Sequence, residues 1–172
     1  SLNDDFVYAG EQSLKLRNKG LIETIKSDNT PVTNGDLEVN KIITNKIKKL
    51  TSEIPIVSEE SSLNKENRSL NTFWLVDPID GTYDYIHNKD EFTINAALII
   101  DKKPELGIIY APAKKRLFYT YGKNMSFEKT KNKEKILNCK KITKEGVVKA
   151  VSYSDNLKPI IQEFHKKFKV TE

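Results

Sequence analysis

The chain has 172 residues, 37% apolar and 31% charged, with 29 Lys+Arg against 24 Asp+Glu. That content suffices for one packed domain, or one and a fraction, and excludes a disordered chain. The longest purely apolar run, Ala96–Ile100, is far short of the ~20 residues a spanning helix needs, no opening stretch reads as a signal peptide, and the lone Cys139 excludes an intrachain disulfide or a Cys-based zinc site.

The first predicted helix covers Asp4–Asn18, with Phe6, Ala9, Gly10, Ser13 and Leu14 at helical spacing and Gly20 as its stop. Leu21–Lys26 reads as a short strand and Asp28–Pro31 as a turn. A second helix starts near Thr33 or Asn34 and stripes Val39, Ile42, Ile43, Ile47 and Leu50 along one side. Ile54–Val57 and Phe73–Val76 read as short strands, the second ended by Pro78. Phe92–Ile100 and Leu106–Tyr110 form a hairpin through Asp101-Lys102-Lys103-Pro104, and Leu117–Tyr121 follows as a third strand. Residues 123–145 are polar, basic and the least readable. Val147–Tyr153 reads as a strand leading through Ser154 and Asp155 into a helix with Leu157, Ile160, Ile161, Phe164 and Phe168, where Pro159 is tolerated in the first turn. Two long helices and a meander of strands make an α+β pattern. The last strand and helix look like the opening of a second lobe, so residues 1–145 are expected as one lobe and 146–172 as the start of another.

Charge is uneven along the chain. Residues 1–101 hold 11 Lys+Arg against 17 Asp+Glu, whereas residues 102–149 hold 14 against 4. Arginine is scarce (Arg17, Arg68, Arg116), although arginine forks are the usual nucleic-acid readers. The lysine surplus therefore reads as a solvated face, or as a field that draws in a small anion. No nucleic-acid partner is expected.

The chemistry sits in Asp77-Pro78-Ile79-Asp80-Gly81-Thr82. A strand ending at Asp77 and a turn at Pro78 let the carboxylates of Asp77 and Asp80 converge with the Ile79 carbonyl. Gly81 permits close backbone approach, and the N–H groups of Gly81 and Thr82 can face an anion. Oxygen-only ligands suit a hard cation such as Mg²⁺, and a cation beside free N–H groups suits phosphate transfer. Glu59-Glu60 ends the other short strand and reaches the same cluster if the two strands are neighbours. Taken singly, these residues also read as turn caps and solvated strand ends, and Thr33 with Asp36 reads as a capping box opening the second helix.

Three segments in this order resemble the lithium-sensitive, Mg²⁺-dependent inositol monophosphatase-like phosphatases. They are Lys26-Ser27-Asp28 through Pro31-Val32-Thr33-Asn34-Gly35-Asp36, then Ser58-Glu59-Glu60, then Asp77-Pro78-Ile79-Asp80-Gly81-Thr82. Glu91-Phe92-Thr93-Ile94-Asn95-Ala96-Ala97-Leu98-Ile99, Gly107-Ile108-Ile109-Tyr110-Ala111-Pro112 and Ile54-Pro55-Ile56-Val57 are most similar to the 3'(2'),5'-bisphosphate nucleotidase branch. The resemblance runs from about Ala9 to about Ser154. It implies the N-terminal lobe of a layered αβαβα fold, two helices on a largely antiparallel sheet, followed by the first strand and helix of a truncated α/β lobe. It also implies Mg²⁺, two or three ions per site, held by Glu59, Asp77, Asp80 and the Ile79 carbonyl. Asp36 and Thr82 would orient and deprotonate the attacking water, with Glu59 assisting. Glu59, Ile79, Asp80, Gly81, Thr82 and Lys26 would surround the substrate, and Glu60 would stand behind them. The implied reaction removes the 3'-phosphate of 3'-phosphoadenosine 5'-phosphate or its sulfated relative in one step. The implied setting is cytoplasmic, with peripheral attachment to the inner membrane left open, and a homodimer is compatible with it.

Some positions depart from the pattern. Relatives supply a further metal-binding Asp directly after a Trp in the second lobe, and the lone Trp here is Trp74. Tyr83-Asp84 replaces a Lys-Glu pair common in the branch, and Gly35 stands where Ala or Thr is usual. The chain is accordingly expected to bind Mg²⁺ weakly and turn over poorly by itself. Inositol monophosphatase activity, or a non-catalytic remnant whose basic surface binds partners, stays open as an alternative. A haloacid dehalogenase-type phosphatase is disfavoured because its paired Asp residues are two apart, whereas Asp77 and Asp80 are three apart. His87, His165 and Cys139 read as bland singletons.

Overall fold

A computed structural model describes residues 1–61, 69–122, 124–138, 148–149 and 157–171. Helix α1 (Leu2–Lys19) buries Phe6, Ala9, Gly10 and Ser13 on one side and ends at Gly20, whose φ of 98° suits glycine. Strands β1 (Glu23–Ile25) and β2 (Pro31–Thr33) pair antiparallel, so Pro31 belongs to a strand rather than to the turn expected over Asp28–Pro31. That turn is tightened by Asp28, whose carboxylate accepts from the Thr30 backbone and hydroxyl. Thr33 then caps helix α2 (Asn34–Leu50). Val39, Ile43 and Ile47 are fully buried along the predicted stripe, each burial stabilising by roughly 1.5–3 kcal/mol. Leu50, also placed on that stripe, is exposed in the last turn.

A seven-stranded sheet follows in the order β3-β4-β5-β6-β7-β8-β9. Its strands are β3 (Ile56–Ser58), β4 (Phe73–Asp80), β5 (Thr93–Ile100), β6 (Lys103–Ala111), β7 (Arg116–Thr120), β8 (Ser126–Lys129) and β9 (Glu134–Ile136). Only β3 with β4 is a parallel pair. Helix α3 (Thr82–Ile86), not foreseen in the sequence, lies between β4 and β5. Trp74, Val76, Ile94, Ala96, Ile108, Tyr110 and Leu117 turn inward and share one core with Phe6, Ala9, Val39, Ile43 and Ile47 from α1 and α2. Trp74 also ties β4 to the end of α2, its indole N–H donating to Thr51 Oγ1 at 3.0 Å.

The β5–β6 hairpin is tighter than expected. Asp101 and Lys102 alone make the turn, with φ of 49° and 62°, the left-handed pair whose twist matches the flanking strands. Lys103 and Pro104 join β6, and an irregularity at Leu98/Ile99 sets Pro104 opposite Ile99. The poorly readable 123–145 segment contributes β8 and β9.

Contacts divide the chain into Ser1–Leu137 and Asn138–Glu172. In the second unit, β10 (Val148–Lys149) pairs parallel with β11 (Val170–Thr171), and helix α4 (Pro159–Lys167) carries Pro at its start. The expected strand Val147–Tyr153 is described only at 148–149, and Ser154, Asp155 and Cys139 lie outside the described residues. Ile160, Ile161, Phe164 and Phe168 are exposed. Among the described residues, no helix is long and apolar enough to cross a membrane.

Helix α1 meets β6 at Gly10. A Cβ there would run into the Tyr110 ring and stand 2.9 Å from Pro112 Cγ. Alanine in a helix interior ordinarily stabilises relative to glycine. Here crowding outweighs propensity, and Gly10→Ala is expected to cost about 1–3 kcal/mol, read as a lower urea midpoint at unchanged slope.

Candidate functional site

The site is built on the end of β4. Asp77 pairs with Asn95 and Asp80 with Thr93, so β4 takes three steps where β5 takes two. One residue is extra, and the ladder is interrupted over Pro78 and Ile79. The expectation that Pro78 ends the strand is corrected here, because β4 continues through it. A bulge is where a strand tolerates a residue without an N–H. Pro78 and Ile79 are buried, while the Asp80 side chain is exposed. Gly81 follows at φ 89°, ψ 38°, and a Cβ there would lie 2.7 Å from the Glu91 carbonyl oxygen. Both the left-handed conformation and the close approach require glycine.

The second acidic element arrives by parallel pairing. Ser58 stands opposite Val76, and the Glu59 N–H donates to the Val76 carbonyl at 3.1 Å. This extends the register by one step and carries Glu59 toward Asp77. Buried Ser58 donates to Asn40 Oδ1 of α2 at 2.6 Å and accepts from the Glu60 N–H at 3.3 Å, which fixes the turn bearing both glutamates. Lys26 Nζ lies 2.6 Å from Glu60 Oε1 and 3.4 Å from Glu59 Oε1. Burial works against the Lys26 charge, yet the two carboxylates outweigh it and raise its pKa. Burial, with the charges of Asp36 and Glu59, raises Glu60 in turn despite Lys26.

The third element is the start of α2. Buried Asp36 accepts from the Thr33 backbone N–H at 2.8 Å and hydroxyl at 2.6 Å, while Thr33 Oγ1 caps the Gly35 and Asp36 N–H groups. The capping box is therefore present, and it leaves Asp36 Oδ1 facing Thr82. Thr82 has one hydroxyl proton and two acceptors, the Ile79 carbonyl at 3.0 Å and Asp36 Oδ1 at 3.4 Å. Burial raises the Asp36 pKa despite the Thr33 donors.

Asp77 is the electrostatic centre. Burial first, then the charges of Glu59 and Asp80, push its pKa up from 3.8 to about 7. Its Oδ1 is buried without a hydrogen-bond partner. Asp80 accepts from Asn95 Nδ2 at 3.4 Å. Asp77 thus feels the charges of Glu59, Asp80 and Asp36, while Lys26 pairs with Glu59 and Glu60. An oxygen-only donor set with an orphaned buried oxygen fits a hard divalent cation. The charges of Glu59, Asp80 and Asp36 all reach Asp77, but among the described residues no three His, Cys, Asp or Glu side chains are already drawn together as a ligand cage.

Of the residues expected at the site, Asp36, Thr82 and the Ile79 carbonyl are linked by hydrogen bonds, and Lys26 is held by Glu60 and Glu59. Glu60 is thus the primary partner of Lys26. Sequence reasoning missed Asn95 and the Ser58–Asn40 pair. Asn95 had a signal, since Asn is depleted in strands and stands amid the apolar run Ile94–Ile100. Exposed His87 stacks on Tyr83 at 4.1 Å, away from these hydrogen bonds.

The chain is similar to several known proteins. A 3'(2'),5'-bisphosphate nucleotidase CysQ from Buchnera aphidicola is 45% identical over 107 residues, which make up 60% of this chain and 40% of that relative. The chain spans less than two-thirds of the length of the curated relatives it matches. The crystal structure of CysQ from Bacteroides thetaiotaomicron superposes with a TM-score of 0.73 at 24% identity, covering 98% of this chain and 68% of the other. An IMPase/NADP phosphatase complexed with Mg²⁺ and phosphate gives a TM-score of 0.59 at 22% identity, covering 69% and 45%. Residues 7–171 match the inositol monophosphatase family, and the chain belongs to it.

Proposed function

We propose that the chain serves Mg²⁺-dependent hydrolysis of a phosphate monoester in the cytoplasm, with residues 1–145 as the metal-binding lobe. The substrate is 3'-phosphoadenosine 5'-phosphate and the group removed is its 3'-phosphate. The observation that carries the reading is the buried Asp77 carboxyl, lacking a partner at Oδ1 and titrating near about 7 among other acids. Such a group is costly unless a cation completes it. The nucleotide reading is supported by the 45% identical relative, whose name specifies a 3'(2'),5'-bisphosphate nucleotidase.

Glu59, Asp77, Asp80 and the Ile79 carbonyl would hold Mg²⁺. Bound there, the ion supplies Lewis-acid polarisation of the phosphate and a lowered pKa for water. The Thr82 hydroxyl donates a hydrogen bond to Asp36 Oδ1, which leaves the Thr82 Oγ1 lone pairs to face the attacking water. As Oγ1 takes one proton from that water, its own proton passes to Asp36. Burial makes Asp36 a stronger base than an ordinary aspartate, suiting it to receive that proton. The N–H groups of Gly81 and Thr82 precede the intrahelical bonds of α3 and bind phosphate oxygens. Lys26 adds positive charge on the Glu59 side.

Phosphate release from 3'-phosphoadenosine 5'-phosphate should require Mg²⁺ and fall in Asp80→Asn by more than the ~10–100-fold that loss of an outer-sphere partner costs. The reading fails if no Mg²⁺-dependent release occurs. Faster release from inositol 1-phosphate would move the substrate to that branch.

A second prediction follows from Asp77. Its folded carboxyl keeps its proton to about 7, while the unfolded one loses it near ~4. The raised folded pKa means that stability from this group is full below ~4 and is lost as pH rises to about 7. The metal-free protein should melt several degrees lower at pH 7.5 than at pH 5, Asp77→Asn should flatten that slope, and Mg²⁺ should restore the melting point at pH 7.5.

A further inference from the structure

Helix α3 has five residues, too few to hold a helix in place alone, yet it carries Thr82. Its anchor is Tyr85, whose N–H donates to the Gly81 carbonyl at 2.9 Å. The Tyr85 ring is fully buried and tilts against Phe92 at 4.9 Å. Its hydroxyl donates to the Ser13 carbonyl of α1 at 2.7 Å, and the Arg17 guanidinium lies 5.9 Å from the ring centre.

The hydroxyl end of that ring meets the first turn of α2. A Cβ at Gly35 would run into the Tyr85 hydroxyl and meet two ring carbons at 2.8 Å. Gly35 is not among the residues of positive φ, so conformation does not call for glycine there; the space does. Asp36 is the next residue. Tyr85 therefore rests on the backbone beside Asp36 while belonging to the helix that carries Thr82.

The geometry points to Tyr85 as a positioning residue that, seated on the bare backbone of Gly35, sets the distance between Thr82 and Asp36. That contact is 3.4 Å between Thr82 Oγ1 and Asp36 Oδ1, at the loose end of hydrogen bonding, so a small displacement of either helix makes or breaks it. The inference deepens the hydrolase reading, since this is the pair assigned to the attacking water.

The test uses the full chain, methyl-labelled at Thr and Leu, without metal or substrate. Gly35→Ala should shift the Thr82 methyl signal, leave the Leu117 methyls of β7 in place, and lower the melting temperature by roughly 5–10 °C. Adding Tyr85→Phe removes the nearest colliding atom, the oxygen, while keeping the two ring carbons, and should return the Thr82 signal and the melting point part of the way toward the wild type. If Gly35→Ala does not fold, Tyr85→Leu should move the Thr82 signal while sparing Leu117. A Thr82 signal that stays put, or a double variant whose defects simply add, overturns the inference. None of these readouts uses turnover, so loss of the hydrolase reading and loss of Tyr85 as its positioning residue are separate results.

Discussion

Like charges gathered at the end of β4 govern this molecule. Asp36, Glu59, Glu60, Asp77 and Asp80 come from three separated stretches of chain, and Lys26 pairs with Glu59 and Glu60 among them. A fold does not assemble such a cluster for stability, since each carboxylate makes its neighbours harder to ionise. The surrounding architecture holds it nonetheless: a parallel strand delivers the glutamates, a capped helix delivers Asp36, and a bulge turns Asp77 and Asp80 out of one strand. The packed core of α1, α2 and the sheet supplies the free energy that offsets the crowding.

The bulge solves a second difficulty. A buried central strand has little room for a residue without an N–H. Interrupting the ladder over Pro78 and Ile79 removes the demand for that donor and leaves the Ile79 carbonyl beside the Thr82 hydroxyl, 3.0 Å from Oγ1. The irregularity that accommodates proline is the same one that presents the oxygen atoms. The capping box at Thr33 is likewise shared, since Asp36 Oδ2 secures the helix start while Oδ1 meets Thr82. Structural and chemical readings of these residues, which compete when only the sequence is considered, hold together in the fold.

The legible parts were those with strong local signals. The stripe from Val39 to Ile47 and the small-residue side of α1 announce buried helix faces, and the acid-rich turn announces oxygen ligands. Strand β8 was hidden because its inward residue is Glu128, buried between Arg116 and Lys135 at 2.7 Å each; hydropathy alone reads it as surface. Helix α3 was hidden by length, as five residues carry no periodicity. Pro78 misled because the proline rule describes uninterrupted strands, and the partner that relieves it lies fifteen or more residues away on β5. Gly35 showed only as an unusual residue type, and its reason is a ring fifty residues further along the chain.

The parallel pairing of β3 also bears on how the molecule assembles. The strands from β4 to β9 are antiparallel neighbours in sequence order, each closing against the one before it. Strand β3 instead needs the chain to travel from Ser58 to Phe73 and return in the same direction, and it has three residues with which to compensate for that closure. Contacts of this kind close longer loops than hairpin contacts do, at a larger entropic cost. The glutamate arm is therefore seated at a higher loop-closure cost than the hairpins that complete the rest of the sheet.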